Sequence, residues 1–124
     1  MQSDIVAEKG YHKLFIWQKA RKLVSIIYQV SGKFPDSEKH GLTSQIRRAA
    51  ISIVLNIVEG HKRSKSQKEF WRFLNIADGS LVEVEACLEL ALDLQFISTA
   101  DYIRADEGRK ELAIMLTAFI KKIK

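Results

Sequence analysis

From Leu14 onward, apolar residues recur at steps of three and four, the spacing that collects side chains on one face of an α-helix. Trp17, Ala20, Leu23, Val24, Ile27 and Val30 form the first such stripe, which predicts a helix from about Leu14 to Ser31. Gly32 stops it, and Phe34-Pro35 forces an extended exit. Leu42, Ile46, Ala49, Ala50, Ile53 and Ile57 form the second stripe, with a further apolar line at Ile51, Val54, Leu55 and Val58. This predicts a second helix from Leu42 to Glu59, capped at its C-terminus by Gly60. Ser66 and Glu69 make an S-x-x-E capping box that opens a third helix. Phe70, Leu74, Ala77, Leu81, Val84, Leu88 and Ala91 then run as a heptad seam, carrying the helix to about Phe96 or Ile97. Ile76, Val82, Ala86, Leu90 and Leu94 add a second line on it. A fourth helix starts after Ser98, with its core face at Leu112, Met115, Leu116, Phe119, Ile120 and Ile123. Gly108, inside the polar stretch 104–109, marks a site for a kink or break.

With one proline, six glycines and no period-two alternation, the chain does not read as a β protein. Four helices with short connections predict an all-α, up-down antiparallel four-helix bundle. At 124 residues it is a single domain, 1–124, with residues 1–10 as a flexible tail. The second apolar lines on helices two and three exceed what one small core covers, so oligomerisation through helix faces is expected.

The second helix also carries a thin polar line, Gln45, Arg48, Ser52, Asn56 and Glu59. The third carries Ser80 and Glu83 on one face, beside Gly79, which lets another helix approach closely. Together they predict a structural polar network of Arg48, Ser52, Asn56, Glu59, Ser80 and Glu83, centred on a buried Arg48–Glu83 pair that fixes helix register.

Charge sharpens the functional reading. Residues 1–72 hold 14 Lys/Arg against 6 Asp/Glu, and residues 73–124 hold 6 against 9. A one-sided field of this kind favours a polyanion. Arg47, Lys62, Arg63, Lys65, Lys68 and Arg72 are the candidate phosphate contacts, most of them at the corner between helices two and three. Trp71 sits among them, placed either to stack on a base or to pack on a neighbouring subunit. Without zinc ligands or a helix-turn-helix signature, weak sequence specificity and steep salt dependence are expected, with RNA the favoured ligand. Lys121, Lys122 and Lys124 are read as complementing a helix C-terminus.

Catalytic chemistry finds little support. A di-metal carboxylate bundle needs Glu-x-x-His pairs, and none of His12, His40 or His61 lies three residues after an acid. Phosphate-binding glycine loops and nucleophile motifs are missing from the sequence. Asn56, Glu59 and Glu83 could be assembled into a catalytic group, but packing explains them better. No cofactor or metal is expected, and the protein is not expected to be an enzyme. The single cysteine, Cys87, lies mid-helix among apolar residues as a buried thiol, and a lone thiol suits a reducing compartment. The N-terminus lacks a signal-peptide core, and no apolar run reaches spanning length. A cytoplasmic protein is expected.

Several local motifs occur together: Trp17-Gln18-Lys19-Ala20, Phe34-Pro35, Gly41-Leu42, Gln45-Ile46-Arg47-Arg48-Ala49-Ala50, Asn56-Ile57-Val58-Glu59-Gly60, Glu69-Phe70, and Gly79-Ser80 with Glu83. Over about Phe15–Leu94 the chain resembles the bacterial 23S rRNA-intervening-sequence (four helix bundle) proteins. It departs from the family pattern at Val58, where alanine is usual, and at Leu55, near which proline is frequent. The resemblance implies a four-helix bundle that forms a homo-oligomer, with a pentamer favoured, and no enzymatic activity. It also implies kinship with the accessory protein of diversity-generating retroelements, a basic bundle that partners a reverse transcriptase and binds nucleic acid. Two functions stay open at this point: direct nucleic-acid binding, and a scaffold that docks a reverse transcriptase or other nucleic-acid enzyme through the basic corner.

Overall fold

A computed structural model describes residues 10–123, apart from the side chains of His12 and Lys13. Except for Gly10, the expected N-terminal tail lies outside the described residues. A 3-10 turn at Gly10–Lys13 leads into α1, Phe15–Ser31. A second 3-10 turn at Asp36–Glu38 precedes α2, Leu42–Arg63, which is followed by α3, Gln67–Asp93, and α4, Thr99–Ile123. The described residues contain no strand. Each helix packs on two neighbours, α1 on α2 and α4, and α3 on α2 and α4, which closes a four-cornered up-down bundle. The expected fold class is therefore observed.

The predicted stripes are the core. Leu23, Ile27, Ile46, Ile53, Ile57, Leu74, Val84, Leu88, Leu112 and Leu116 are almost completely buried. Each such aliphatic side chain contributes about 1.5–3 kcal/mol relative to an exposed position. This burial holds the helices, because four local helices of this length would be marginal alone.

Two helix ends, and the interior of the last helix, differ from the sequence expectation. α2 does not stop at Gly60 but runs one further turn to Arg63. Gly60 is buried inside the helix, where a Cβ would stand 2.8 Å from both Phe70 Cδ1 and Phe73 Cβ. It permits close approach of α3 rather than capping α2. α3 stops at Asp93, before Phe96. Gln95 takes a left-handed φ of 62°, while Phe96 N–H donates to Ala91 O (2.8 Å) and Gln95 N–H to Leu92 O (3.1 Å). That is a Schellman ending built on glutamine instead of glycine. Phe96 folds back to meet Phe34, with ring centroids 6.3 Å apart. α4 is one continuous helix through Gly108, so the helix is not broken there. Ser98 caps it as predicted, accepting from Asp101 N–H at 3.1 Å.

Candidate nucleic-acid interface

The extra turn of α2 carries the cations. His61, Lys62 and Arg63 form its last turn, where positive charge complements the helix dipole. Ser64 is extended, and the chain turns into the Ser66 cap, whose hydroxyl accepts Glu69 N–H at 3.2 Å. The Glu69 carboxylate reaches back one residue past the cap and accepts Lys65 N–H at 2.5 Å, a variant of the capping box, whose reciprocal bond ordinarily goes to the cap residue's own N–H. One of the two acids near the corner is thereby committed to the turn, and Glu59 is the other.

Around this turn Lys62, Arg63, Lys65, Lys68 and Arg72 are all exposed. The structure thus brings together five of the six predicted phosphate contacts. Phe70 does not join them, because it packs inward against Phe119 (5.7 Å, edge-on) and His61 (6.2 Å). Trp71 is half-buried and lines an open cleft of about 280 Å³ with Gln67, Lys68 and Ile123. Ile123 belongs to the last turn of α4, so Lys121 and Lys122, both exposed, stand at this same end of the bundle. The sequence separates these lysines from the corner by about fifty residues, and the up-down topology reunites them.

Arg47 lies elsewhere. It is fifteen residues before Lys62 on α2, about 22 Å along the axis at 1.5 Å per residue. Its Nε donates to Ser31 Oγ at 2.8 Å and its Nη2 to Tyr28 O at 3.3 Å, and its guanidinium lies 4.4 Å from the Tyr28 ring centroid. It ties the C-terminal end of α1 to α2 and is not part of the corner.

The polar line of α2 does meet α3, though not as an ion pair. Ser80 Oγ donates to Ser52 Oγ at 2.8 Å, and Asn56 Nδ2 donates to Ser52 O at 2.8 Å and Ser52 Oγ at 3.2 Å. Glu83 accepts from Gln45 Nε2 at 3.4 Å and not from Arg48. Arg48, Glu83 and Glu59 are exposed, so the expected buried Arg48–Glu83 pair is replaced by a small hydroxyl–amide cluster. Gly79 likewise has nothing within 4 Å of a would-be Cβ, and its bare backbone faces away from the core.

The buried ionic group is on α4 instead. Arg109 is buried and pairs with Asp106 at 2.6 Å and Glu85 at 3.2 Å. Ala105, Arg109, Leu112 and Leu116 follow one another at steps of four, three and four, and all are buried. That register was the available signal for an arginine on the core stripe. Cys87 is a buried free thiol, and burial first, then the nearby Glu83 charge, pushes its pKa above the ordinary 9.0. It is a protonated core group at neutral pH. Among the described residues no cluster of three His, Cys, Asp or Glu side chains could hold a metal ion. No helix among the described residues is long and apolar enough to cross a membrane.

Comparison with known proteins agrees with this architecture. A crystal structure from Bacteroides thetaiotaomicron, described as a protein of unknown function from the S23 ribosomal protein family, superposes with a TM-score of 0.78. It is 26% identical over 86% of this chain and 95% of that one. No functionally curated protein matches the chain. The sequence profile of the 23S rRNA-intervening sequence proteins matches residues 12–118, nearly the whole bundle, and the chain belongs to that family.

Proposed function

We propose that the protein is a non-catalytic, oligomeric nucleic-acid-binding bundle that holds phosphates at the basic end of its helices, with RNA as the favoured ligand. The observation that carries this is the cluster of exposed Lys62, Arg63, Lys65, Lys68 and Arg72 around one turn. Lys121 and Lys122 join it from α4, while Glu69 is spent on capping. Cations grouped on one end release counterions from a phosphate backbone, and binding of this kind weakens steeply with salt. The apolar cleft beside Trp71 offers an unstacked base a place next to those cations.

The oligomer rests on a different face. Leu55 on α2 and Ile76, Val82, Leu90 and Leu94 on α3 are each about half exposed. Gly79 lies bare among them and would let a neighbouring helix come close. An assembly covering this face would repeat the basic end once per subunit and multiply weak contacts. A pentamer is the favoured form.

Fluorescence anisotropy with labelled single-stranded RNA, structured RNA and duplex DNA across a salt series tests the proposal. Binding at micromolar or tighter affinity, falling steeply with salt, is the expected result. Absence of binding to all three at low salt overturns it and turns the basic end into a docking surface for a protein such as a reverse transcriptase.

A further inference from the structure

We propose a second anion site, at the opposite end of α2 from the basic corner, built to take the phosphate or diphosphate group of a phosphorylated ligand. An open cleft of about 380 Å³ lies there, lined by Lys39, His40, Arg47, Arg48 and the hydroxyl-bearing Thr43 and Ser44. No acidic side chain lines it. The nearby Glu38 carboxylate is occupied as the acceptor of Leu42 N–H at 3.0 Å, so an anion would be held by side chains and not by the helix end.

What distinguishes this cleft from a scatter of surface lysines is Arg47. Arg47 is half-buried, and its guanidinium is stacked on Tyr28 and fixed by Ser31 Oγ and Tyr28 O through Nε and Nη2. Those bonds leave the Nη1 donors unspent. A planar fork already locked in place loses little freedom when it binds, and its geometry matches a phosphate oxygen pair. Arg48 and Lys39 add two exposed cations on the wall of the same cleft. Thr43 and Ser44 supply neutral donors of the kind that orient phosphates. The site stands apart from the basic corner and does not rest on the nucleic-acid reading.

The test is a titration of the full chain with inorganic pyrophosphate at constant ionic strength, followed by calorimetry and by melting temperature. Three forms are compared: the wild type, the double variant Lys39→Gln/Arg48→Gln, and the corner variant Lys62→Gln/Arg63→Gln. Arg47 is left intact because it ties α1 to α2. Saturable binding of one pyrophosphate per chain is expected, weakened at least tenfold in the first variant and unchanged in the second. Non-saturable binding, binding untouched by Lys39→Gln/Arg48→Gln, or binding lost only with the corner cations overturns the proposal. A competition arm uses short 5′-phosphorylated and 5′-hydroxyl oligonucleotides. Displacement of pyrophosphate by the phosphorylated oligonucleotide alone supports the site and names a polynucleotide end as its source. Displacement by neither, with the tenfold loss in the first variant, supports it as a site for a free phosphorylated small molecule.

Discussion

Gly60 and Phe70 touch so closely that one methyl group would not fit between them: a Cβ on Gly60 would lie 2.8 Å from Phe70 Cδ1. The same Cβ would lie 2.8 Å from Phe73 Cβ, which is tied to the α3 backbone and cannot swing aside. This contact sets how near the last turn of α2 runs to the first turns of α3, and hence how tightly the corner cations are grouped. Gly60→Ala gains about 1 kcal/mol of helix propensity but incurs overpacking of about 1–3 kcal/mol. A net loss of stability and a lower melting temperature are expected. A melting temperature equal to or above wild type would show that the corner has room to relax.

Gly108 makes the opposite case. A Cβ there would stand 3.5 Å from Ile26 Cδ1 and from Leu23 Cδ1, ordinary van der Waals contact, inside an unbroken α4. Gly108→Ala is expected to stabilise the fold by about 0.5–1 kcal/mol. Thermal or urea unfolding reads this directly, and destabilisation would mean that α4 bends at this point in solution.

The two glycines show what the sequence could and could not disclose. Both sit in helical pattern, and only the neighbouring helix decides what each is for. The helices themselves were legible because Leu23, Ile27, Ile53, Ile57, Leu74 and Leu88 keep the 3.6-residue period without interruption. The end of α3 was not, because Phe96 prolongs the apolar pattern while Gln95 takes the left-handed turn that glycine usually signals. The corner cations were legible because they are adjacent in sequence. Lys121 and Lys122 joined them only through topology. Arg47 left them because it stands fifteen residues before Lys62, near the other end of α2, where it packs on Tyr28.

The exposed Glu83 and the buried Arg109 should behave very differently when truncated. Glu83→Ala removes one long hydrogen bond from Gln45 on the surface, so a change within about 0.5 kcal/mol is expected. Arg109→Ala strips the partner from Asp106, whose side chain is 14% exposed, and opens a gap on the core stripe. A loss of about 3 kcal/mol is expected, moderated by Lys110, which stands 3.6 Å from the other Asp106 oxygen. Denaturant unfolding of both variants ranks them, and equal effects would contradict the placement of the ionic group on α4.

Cys87 gives a pH readout of the core. Its pKa lies above 9.0 in the fold, first because burial disfavours the thiolate and then because Glu83 is near. In the unfolded chain the thiol ionises at its ordinary value, so the favourable contribution is complete below that value. It fades as pH rises through the folded pKa. Alkylation at pH 8 should be slow in the native protein and fast in denaturant. Native labelling as rapid as that of a free thiol would place Cys87 on an open surface.

The basic end makes a quantitative demand on binding. Each phosphate contact contributes a slope of about −0.7 in log affinity against log salt for single strands and about −0.9 for duplex DNA. The triple variant Lys62→Gln/Arg63→Gln/Lys68→Gln should therefore flatten the slope by about 2–3 units if all three touch phosphate. These side chains are exposed, so the fold should tolerate the changes with little shift in melting temperature. Trp71→Phe keeps a ring in the cleft that Gln67 and Ile123 also line, while reducing its stacking surface. It should weaken affinity without changing the slope, because stacking releases no counterions. A slope unaltered by the triple variant would move the phosphate contacts away from the α2–α3 corner, whereas a slope altered by Trp71→Phe would mean that the tryptophan positions the cations instead of receiving a base.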